Sequence, residues 1–396
     1  MILFSKRCAT NLLLERRLRS ENAASKVPGG GVKVLVQPGD SVAPLVQAIN
    51  NAKSRVEIAI FRFDRKEIEV ALGNAVARGV FVHALIAYTN RGGERNLRKL
   101  EMRLLAAGVT VARTADDLAR YHGKYMIVDR KDLYLLGFNF THLDIDHSRS
   151  FGLIINNQKI VQEAIKLFEA DAKRQPYVPG NTAFVVSPVN ARKQLAGLIQ
   201  GAKKELLIYD PEISDPAMTR LLQDRLKAGV HIRVIGRLNR RNTGLAVKKL
   251  AGMRLHTRTI IRDGKQAFVG SQSLREVELG SRREVGVIFH DPKVIGILSK
   301  TFQGDWERVV QTQASADEAA PATKAAKKIA KAVAKDLSPV TPVLEDIVRQ
   351  MVGQDGEIDL DPMAVEETVK HAVKEAVKEA VRDVVENVVE QNGVPH

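Results

Sequence analysis

The sequence predicts an α/β protein built from two similar halves. The segment LVQAINNAKSRVEIAIF (45–61) has a counterpart in LAGLIQGAKKELLIYD (195–210), and Gly79-Val80 has one in Gly229-Val230 at the same spacing of 150 residues. Each copy reads as a helix, an apolar strand, a helix, a glycine and a second strand. Strands that alternate with helices are typical of α/β folds, so we predict two pseudo-symmetric domains, each a mixed sheet flanked by helices.

Changes of composition divide the chain further. VPGGG ends an N-terminal leader, and the turn-rich QPYVPGNT (175–182) joins the two repeats. The expected divisions are a leader at 1–31, a first repeat at 32–178, a second repeat at 182–312 and a helical, charged tail at 313–396. Arginines follow the apolar residues of the leader, which is not the order of a secretory signal, and no run approaches the roughly 18 apolar residues of a membrane-spanning helix. We therefore expect a cytoplasmic protein, with peripheral contact at the inner membrane surface left open.

Charge is spread unevenly along the chain. The whole sequence carries 61 Lys and Arg against 46 Asp and Glu, a net charge of +15, whereas the tail alone carries 10 basic and 16 acidic residues. The first 312 residues therefore have a net charge of +21. Such a basic body favours polyanions or anionic membrane surfaces through long-range attraction. A single cysteine, Cys8, excludes an intrachain disulfide and a cysteine-rich zinc site.

Two segments of the tail have patterns of their own. ATKAAKKIAKAVAK (322–335) is rich in lysine and helix-forming alanine, which suits contact with an anionic membrane surface. The segment 363–390 has a valine at every fourth position from 365 to 385, which places an apolar stripe along a charged helix. That stripe predicts self-association or packing against the body.

The residues that carry chemistry stand at matched positions in the two repeats. His122 and Lys124 precede and enter a strand-like run, and His256 and Arg258 do so again 134 residues later. Side chains two residues apart in a strand lie on one face, so each imidazole is directed with a cation toward an anionic group. One imidazole can attack phosphorus, the second can protonate the leaving oxygen, and the cations neutralise the phosphoryl oxygens. We therefore expect phosphoryl chemistry in a cleft between the repeats, with no metal and no cofactor.

These motifs resemble the signature of the phospholipase D superfamily, in which His-x-Lys, four residues, Asp, six residues and Gly-Ser-x-Asn occur twice. The resemblance covers about 32–312 and includes FQGDW (302–306), which is similar to the close of cardiolipin synthase-like members. It implies that His122, Lys124, His256 and Arg258 are catalytic. It also implies a supporting set, which consists of Asp129, Asn139, Asp263, Ser271, Ser273 and Glu284.

The sequence departs from the family pattern at several positions. Leu136-Gly137 stands in place of Gly-Ser, Arg258 in place of Lys and Ser273 in place of Asn. Ser150 occupies the position of the family's first histidine-orienting Glu, so the carboxylate that matches His122 is expected to be missing. Two nearby residues could substitute for it, Asp144 and Asp146. Two histidines of the second strands, His83 and His231, are expected to be buried structural residues.

The resemblance implies hydrolysis or transfer at a phospholipid phosphodiester, as in phospholipase D or cardiolipin synthase, through a phosphohistidine. A nuclease of the same fold is the main alternative and agrees with the basic body. A third reading, from a different class, is a non-catalytic protein that binds membranes or partners.

Overall fold

The computed structural model describes residues 31–88, 94–239 and 243–318. The chain divides into two compact units, residues 1–313 and 314–396. The predicted membrane contact at 322–335 and the predicted self-association at 363–390 lie outside the described residues, as does nearly all of the leader. These three expectations stay predictions, and so do the domain boundaries.

The first repeat alternates strands and helices in the expected order. Its elements are β1 (Val32–Gln37), α1 (Ala43–Asn51), β2 (Arg55–Ile60), α2 (Lys66–Ala77), β3 (Phe81–Ile86), α3 (Glu94–Ala106), β4 (Thr110–Arg113), β5 (Arg120–Tyr121), β6 (Tyr125–Val128), β7 (Asp132–Leu136), α4 (His142–Asp146), β8 (Ser148–Ile155) and α5 (Gln158–Ala172).

The second repeat follows the same plan. Its elements are β9 (Phe184–Val186), α6 (Ala191–Gln200), β10 (Glu205–Ile213), α7 (Pro216–Lys227), β11 (His231–Leu238), β12 (Ala246–Lys248), β13 (Arg254–Leu255), β14 (Arg258–Arg262), β15 (Gln266–Gly270), α8 (Glu276–Gly280), β16 (Arg282–Arg283), β17 (Val285–Phe289) and α9 (Pro292–Glu318).

Each repeat forms one mixed sheet. The first sheet has the strand order β1-β8-β7-β6-β2-β3-β4, and the second has the order β12-β11-β10-β14-β15-β17-β9. In both sheets the helix-linked strands pair in parallel, whereas the central strand pairs antiparallel with the strand that follows the histidine. The central strands are almost fully buried, as expected where helices cover a sheet. The prediction of two pseudo-symmetric α/β repeats is confirmed.

Short strands connect the repeats next to the histidines. β13 of the second repeat pairs in parallel with β8 of the first, and β5 of the first pairs in parallel with β16 of the second. As a result, the backbone N–H of His122 donates to the carbonyl of Arg283 at 2.8 Å, and that of His256 donates to the carbonyl of Arg149 at 3.0 Å. Each histidine is therefore held by the backbone of the opposite repeat.

The side chains of the same two arginines form buried ion pairs across the repeats. Arg149 contacts both carboxylate oxygens of Asp305 in α9, at 2.7 and 2.9 Å, and Arg283 contacts Asp171 in α5 at 3.0 Å. The two arginines are 134 residues apart, and so are the two aspartates. The interface between the repeats thus contains the same crossed ion pair twice.

The strand histidines differ from each other. His83 is half-buried, with its ring centre 5.1 Å from that of Phe168, and burial lowers its pKa. His231 is exposed at the start of β11, so the prediction that it is buried is wrong. It begins a strand one residue before the buried run, where the side chain points outward. Among the described residues, no helix combines the length and the apolar character needed to cross a bilayer.

Candidate active site

His122 lies between a carboxylate and an ammonium group. Its Nδ1 is 2.7 Å from Oε2 of Glu284, and its Nε2 is 2.9 Å from Nζ of Lys124. All three side chains are buried. Because a carboxylate accepts hydrogen bonds, Nδ1 carries the proton and Nε2 keeps its lone pair. This arrangement leaves Nε2 as the nucleophilic atom of the ring.

His256 lies beside a carboxylate of the first repeat. Its Nε2 is 3.5 Å from Oδ2 of Asp144, which α4 presents to the interface. That carboxylate is fixed by Asn139, whose backbone N–H and side-chain Nδ2 donate to it at 2.8 and 2.6 Å, and by an ion pair with Arg254. Burial opposes the ionisation of Asp144, but the charges of His256 and Arg254 lower its pKa below the usual value. A charged Asp144 stabilises the protonated form of His256.

The carboxylates are crossed between the repeats. Glu284 belongs to the second repeat yet contacts His122, so the prediction that His122 lacks its carboxylate is wrong. The gap left by Ser150 falls on the side of His256, where Asp144 occupies the place. The Oγ atom of Ser150 is buried and has no hydrogen-bond partner among the described residues. The other predicted substitute, Asp146, pairs instead with Arg65.

The two histidines and two cations share one buried site. The charge of Arg258 acts on His122, and the charge of Lys124 acts on His256. Burial, followed by the neighbouring cations, lowers the pKa of His122 well below its usual value, and burial likewise lowers the pKa of His256 against the pull of Asp144. Burial also lowers the pKa of Lys124 to about 7. The site thus combines a neutral nucleophile with cations that an anion can charge fully.

Comparison with known proteins agrees with this geometry. A family model described as "Cardiolipin synthase, PLD-like domain" matches residues 45–172 and 195–306, which is more than half of the chain. The chain belongs to the phospholipase D superfamily. The match covers both repeats, so the duplicated motifs belong to two copies of the phospholipase D-like domain.

Individual relatives of this phospholipase D-like protein have different activities in their names. The chain is 28% identical over 160 residues to mitochondrial cardiolipin hydrolase of Canis lupus familiaris, covering 39% of this chain and 60% of that relative. Polyphosphate kinase of Porphyromonas gingivalis has a TM-score of 0.58 at 18% identity, over 69% of this chain and 46% of the kinase. Phosphatidylserine synthase of Haemophilus influenzae has a TM-score of 0.54 at 11% identity, over 75% of this chain and 91% of the synthase. At these identities, the two structures show a shared fold.

The two motif aspartates of the phospholipase D signature lie away from the histidines. Asp129 ends β6 at a φ of 51° and accepts hydrogen bonds from the backbone N–H groups of residues 53–55. Asp263 ends β14 at a φ of 54° and accepts them from residues 203–205. Each carboxylate therefore fixes the start of a central strand, and its contribution to the site runs through that strand.

The remaining supporting residues lie at the site. Ser273 accepts a hydrogen bond from Nε of Arg258 at 3.1 Å, and Nη1 of the same arginine donates to the carbonyl of His256 at 2.7 Å. Ser271 accepts from the backbone N–H of Val285 at 3.0 Å and lowers the pKa of Glu284 against the effect of burial. Asn139 acts through Asp144, as described above.

Sequence reasoning missed three residues of this phospholipase D-like site. Glu278 accepts from the backbone N–H of Ser273 at 2.7 Å, and it stands 134 residues after Asp144, so the repeat spacing could have identified it. Arg254 pairs with Asp144. The ring of Phe61 contacts that of His122 edge-on at 4.7 Å, a contact for which the sequence has no signal.

The described part of the chain has no group of three His, Cys, Asp or Glu side chains arranged to hold a metal ion. The expectation that the reaction needs no metal stays a prediction, which an assay in chelator tests.

Replacing Arg258 should separate its charge from its shape. We expect Arg258→Ala to lower the rate by on the order of 10²-fold, because removal of a transition-state donor typically has that effect. Arg258→Lys should stay within about tenfold of the wild type, since Lys124 makes the equivalent bond to the carbonyl of His122 in the first repeat. Steady-state kinetics on the three proteins checks this. A lysine variant as inactive as the alanine variant would show that the guanidinium contact with Ser273 is required.

The reaction should weaken on the alkaline side. Burial lowers the pKa of Lys124 to about 7, so the free enzyme loses this cation as the pH rises through that value. We expect kcat/KM to fall above about pH 7, and Lys124→Arg to remove that alkaline limb because arginine stays protonated. An unchanged limb in the arginine variant would assign it to another group.

Proposed function

We propose that this protein cleaves or transfers a phospholipid phosphodiester through a covalent intermediate on His122. The observation that carries the proposal is the hydrogen bond from Nδ1 of His122 to Glu284, which leaves the lone pair of Nε2 available beside the ammonium of Lys124. The names of the matching family model and of the canine relative support a phospholipid substrate. An exposed apolar side chain, Leu143, stands next to Asp144 on α4 and offers a contact for a lipid chain.

The first half of the reaction breaks the bond from phosphorus to the leaving oxygen. Nε2 of His122 donates its lone pair to phosphorus, while a ring nitrogen of His256 gives its proton to the departing alkoxide. Lys124 and Arg258 neutralise the non-bridging oxygens as the charge on them shifts. Glu284 stabilises the positive charge that develops on the ring of His122.

The second half regenerates the enzyme. Neutral His256 takes a proton from water or from an alcohol, whose oxygen attacks phosphorus as the bond to Nε2 of His122 breaks. Water gives hydrolysis and an alcohol gives phosphatidyl transfer, with His256 protonated again at the end. Asp144 stabilises that protonated state.

The test compares substrates under identical conditions. Purified full-length protein is incubated in EDTA with labelled phosphatidylglycerol, phosphatidylcholine, and single- and double-stranded DNA. We expect release or exchange of the lipid head group, and an acid-labile label on the wild type that His122→Ala lacks. Cleavage of DNA with intact lipids would favour the nuclease reading, which the basic body supports. No turnover of any substrate would favour a binding protein.

A further inference from the structure

The two halves of the site differ in charge at the end of the central strand. In the first repeat Phe61 and Arg62 follow β2 directly, whereas the equivalent positions of β10, 150 residues later, are Pro211 and Glu212. The positions are structurally equivalent, because the carboxylates that end β6 and β14 bind the first residues of β2 and β10 in the same way. The pseudo-symmetry is therefore broken beside the histidines.

Phe61 connects this difference to the reacting group. Its buried ring packs edge-on against the ring of His122 at 4.7 Å, and Nζ of Lys124 lies 5.6 Å from its centre. The guanidinium carbons of Arg62 and Arg120 lie 5.8 and 5.5 Å from the same centre. Two guanidinium groups are thus positioned by the aromatic ring that contacts the nucleophile.

The positive charge on this side is not matched on the other. Arg62 is exposed and forms no ion pair with another described residue. In the second repeat the counterpart of Arg120 is Arg254, whose charge is neutralised by Asp144. Glu212 there lies 3.6 Å from Arg275. An anionic substrate therefore meets excess positive charge on the His122 side of the cleft.

We infer that Arg62 and Arg120 form a subsite for a second phosphate group of the substrate, next to the phosphate that His122 attacks. The inference rests on the proposed function, since it assumes a phosphodiester at His122. It narrows the substrate class to phospholipids that carry two phosphates joined through a short alcohol. The fit is chemical, because a guanidinium binds phosphate through paired N–H donors, and a partly dehydrated rim strengthens that bond.

Binding of small soluble probes tests the subsite without turnover. Calorimetry on the full chain compares propane-1,3-diol bisphosphate with propyl phosphate. We expect the bisphosphate to bind about tenfold more tightly, because one additional charged hydrogen-bonded contact has roughly that effect. Arg62→Gln should remove the difference and Arg62→Lys should restore most of it. Arg103→Gln, at an exposed arginine of α3 that pairs with Glu69, should leave it unchanged.

The outcomes separate the subsite from the reaction. Equal affinity of both probes in the wild type, or an equal loss of both in Arg62→Gln, would overturn the subsite. Tighter binding of a 5′-phosphorylated dinucleotide than of the bisphosphate, with the same dependence on Arg62, would overturn the lipid assignment. In mixed micelles, Arg62→Gln should raise KM for a two-phosphate lipid about tenfold and leave phosphatidylglycerol within twofold. An intact probe preference with no lipid turnover would refute the proposed function and not the subsite.

Discussion

His122→Ala and His256→Ala are each expected to lower kcat by at least about 10⁴-fold, and the double variant should be no slower than the worse single variant. The reason is that nucleophile and acid act in the same step, so either loss stops the cycle. The two rings belong to one electrostatic site, since the cation beside each one acts on the other. Steady-state kinetics on matched preparations, in chelator, measures the effect.

The same substitution elsewhere is the control. His142 lies on α4 close to the site but is exposed and pairs with Asp146, so His142→Ala should keep the rate within a few-fold of the wild type. Thermal unfolding of all variants shows whether the fold is kept. Full activity in either His122→Ala or His256→Ala would refute the two-histidine mechanism.

Asp305→Asn should have the largest effect on stability. The substitution leaves the charge of Arg149 buried in the interface without its carboxylate, and the hydroxyl of Tyr209 loses its acceptor at 2.6 Å. Breaking one partner of a buried pair costs about 3–5 kcal/mol in free energy of unfolding. Chemical denaturation measures this loss.

A more exposed ion pair is the control for that prediction. Arg233 and Glu205 lie 2.8 Å apart with 25% and 35% of their side chains exposed, so Glu205→Gln should cost about 1 kcal/mol or less. A loss of similar size in both variants would mean that Asp305 contributes no more than a surface pair does. The remaining buried pair, Arg283 with Asp171, should respond to Asp171→Asn as Asp305 does.

The sequence predicted the fold and the reacting residues because both are written in the repeat spacing. Helix and strand patterns recur at 150 residues and the motifs at 134, so His122, Lys124, His256 and Arg258 could be found without the structure. Spacing also marks residues of purely structural use. Asp129 matches the motif yet binds backbone N–H groups at the far end of β6.

The pairing of histidines with carboxylates could not be predicted from the sequence. Glu284 is 162 residues from His122, and the contact exists only because the second repeat is placed against the first. A comparison along one repeat assigns each carboxylate to its own histidine, which is the reverse of the observed pairing. The role of Asp144 depends on the position of a short helix, α4, which no periodicity reveals.

The crossed contacts have a consequence for the evolution and engineering of this chain. Since each half supplies one imidazole and the carboxylate for the other, a polypeptide cut in the linker at 175–182 would yield two incomplete fragments with complementary surfaces. Such fragments should recover turnover only when mixed, as the two subunits of a heterodimer do. The same reciprocity implies that a single-domain ancestor had to form a homodimer to act. Once the copies were fused, they could diverge, so that the cations at 124 and 258, and the carboxylates at 144 and 284, are no longer alike.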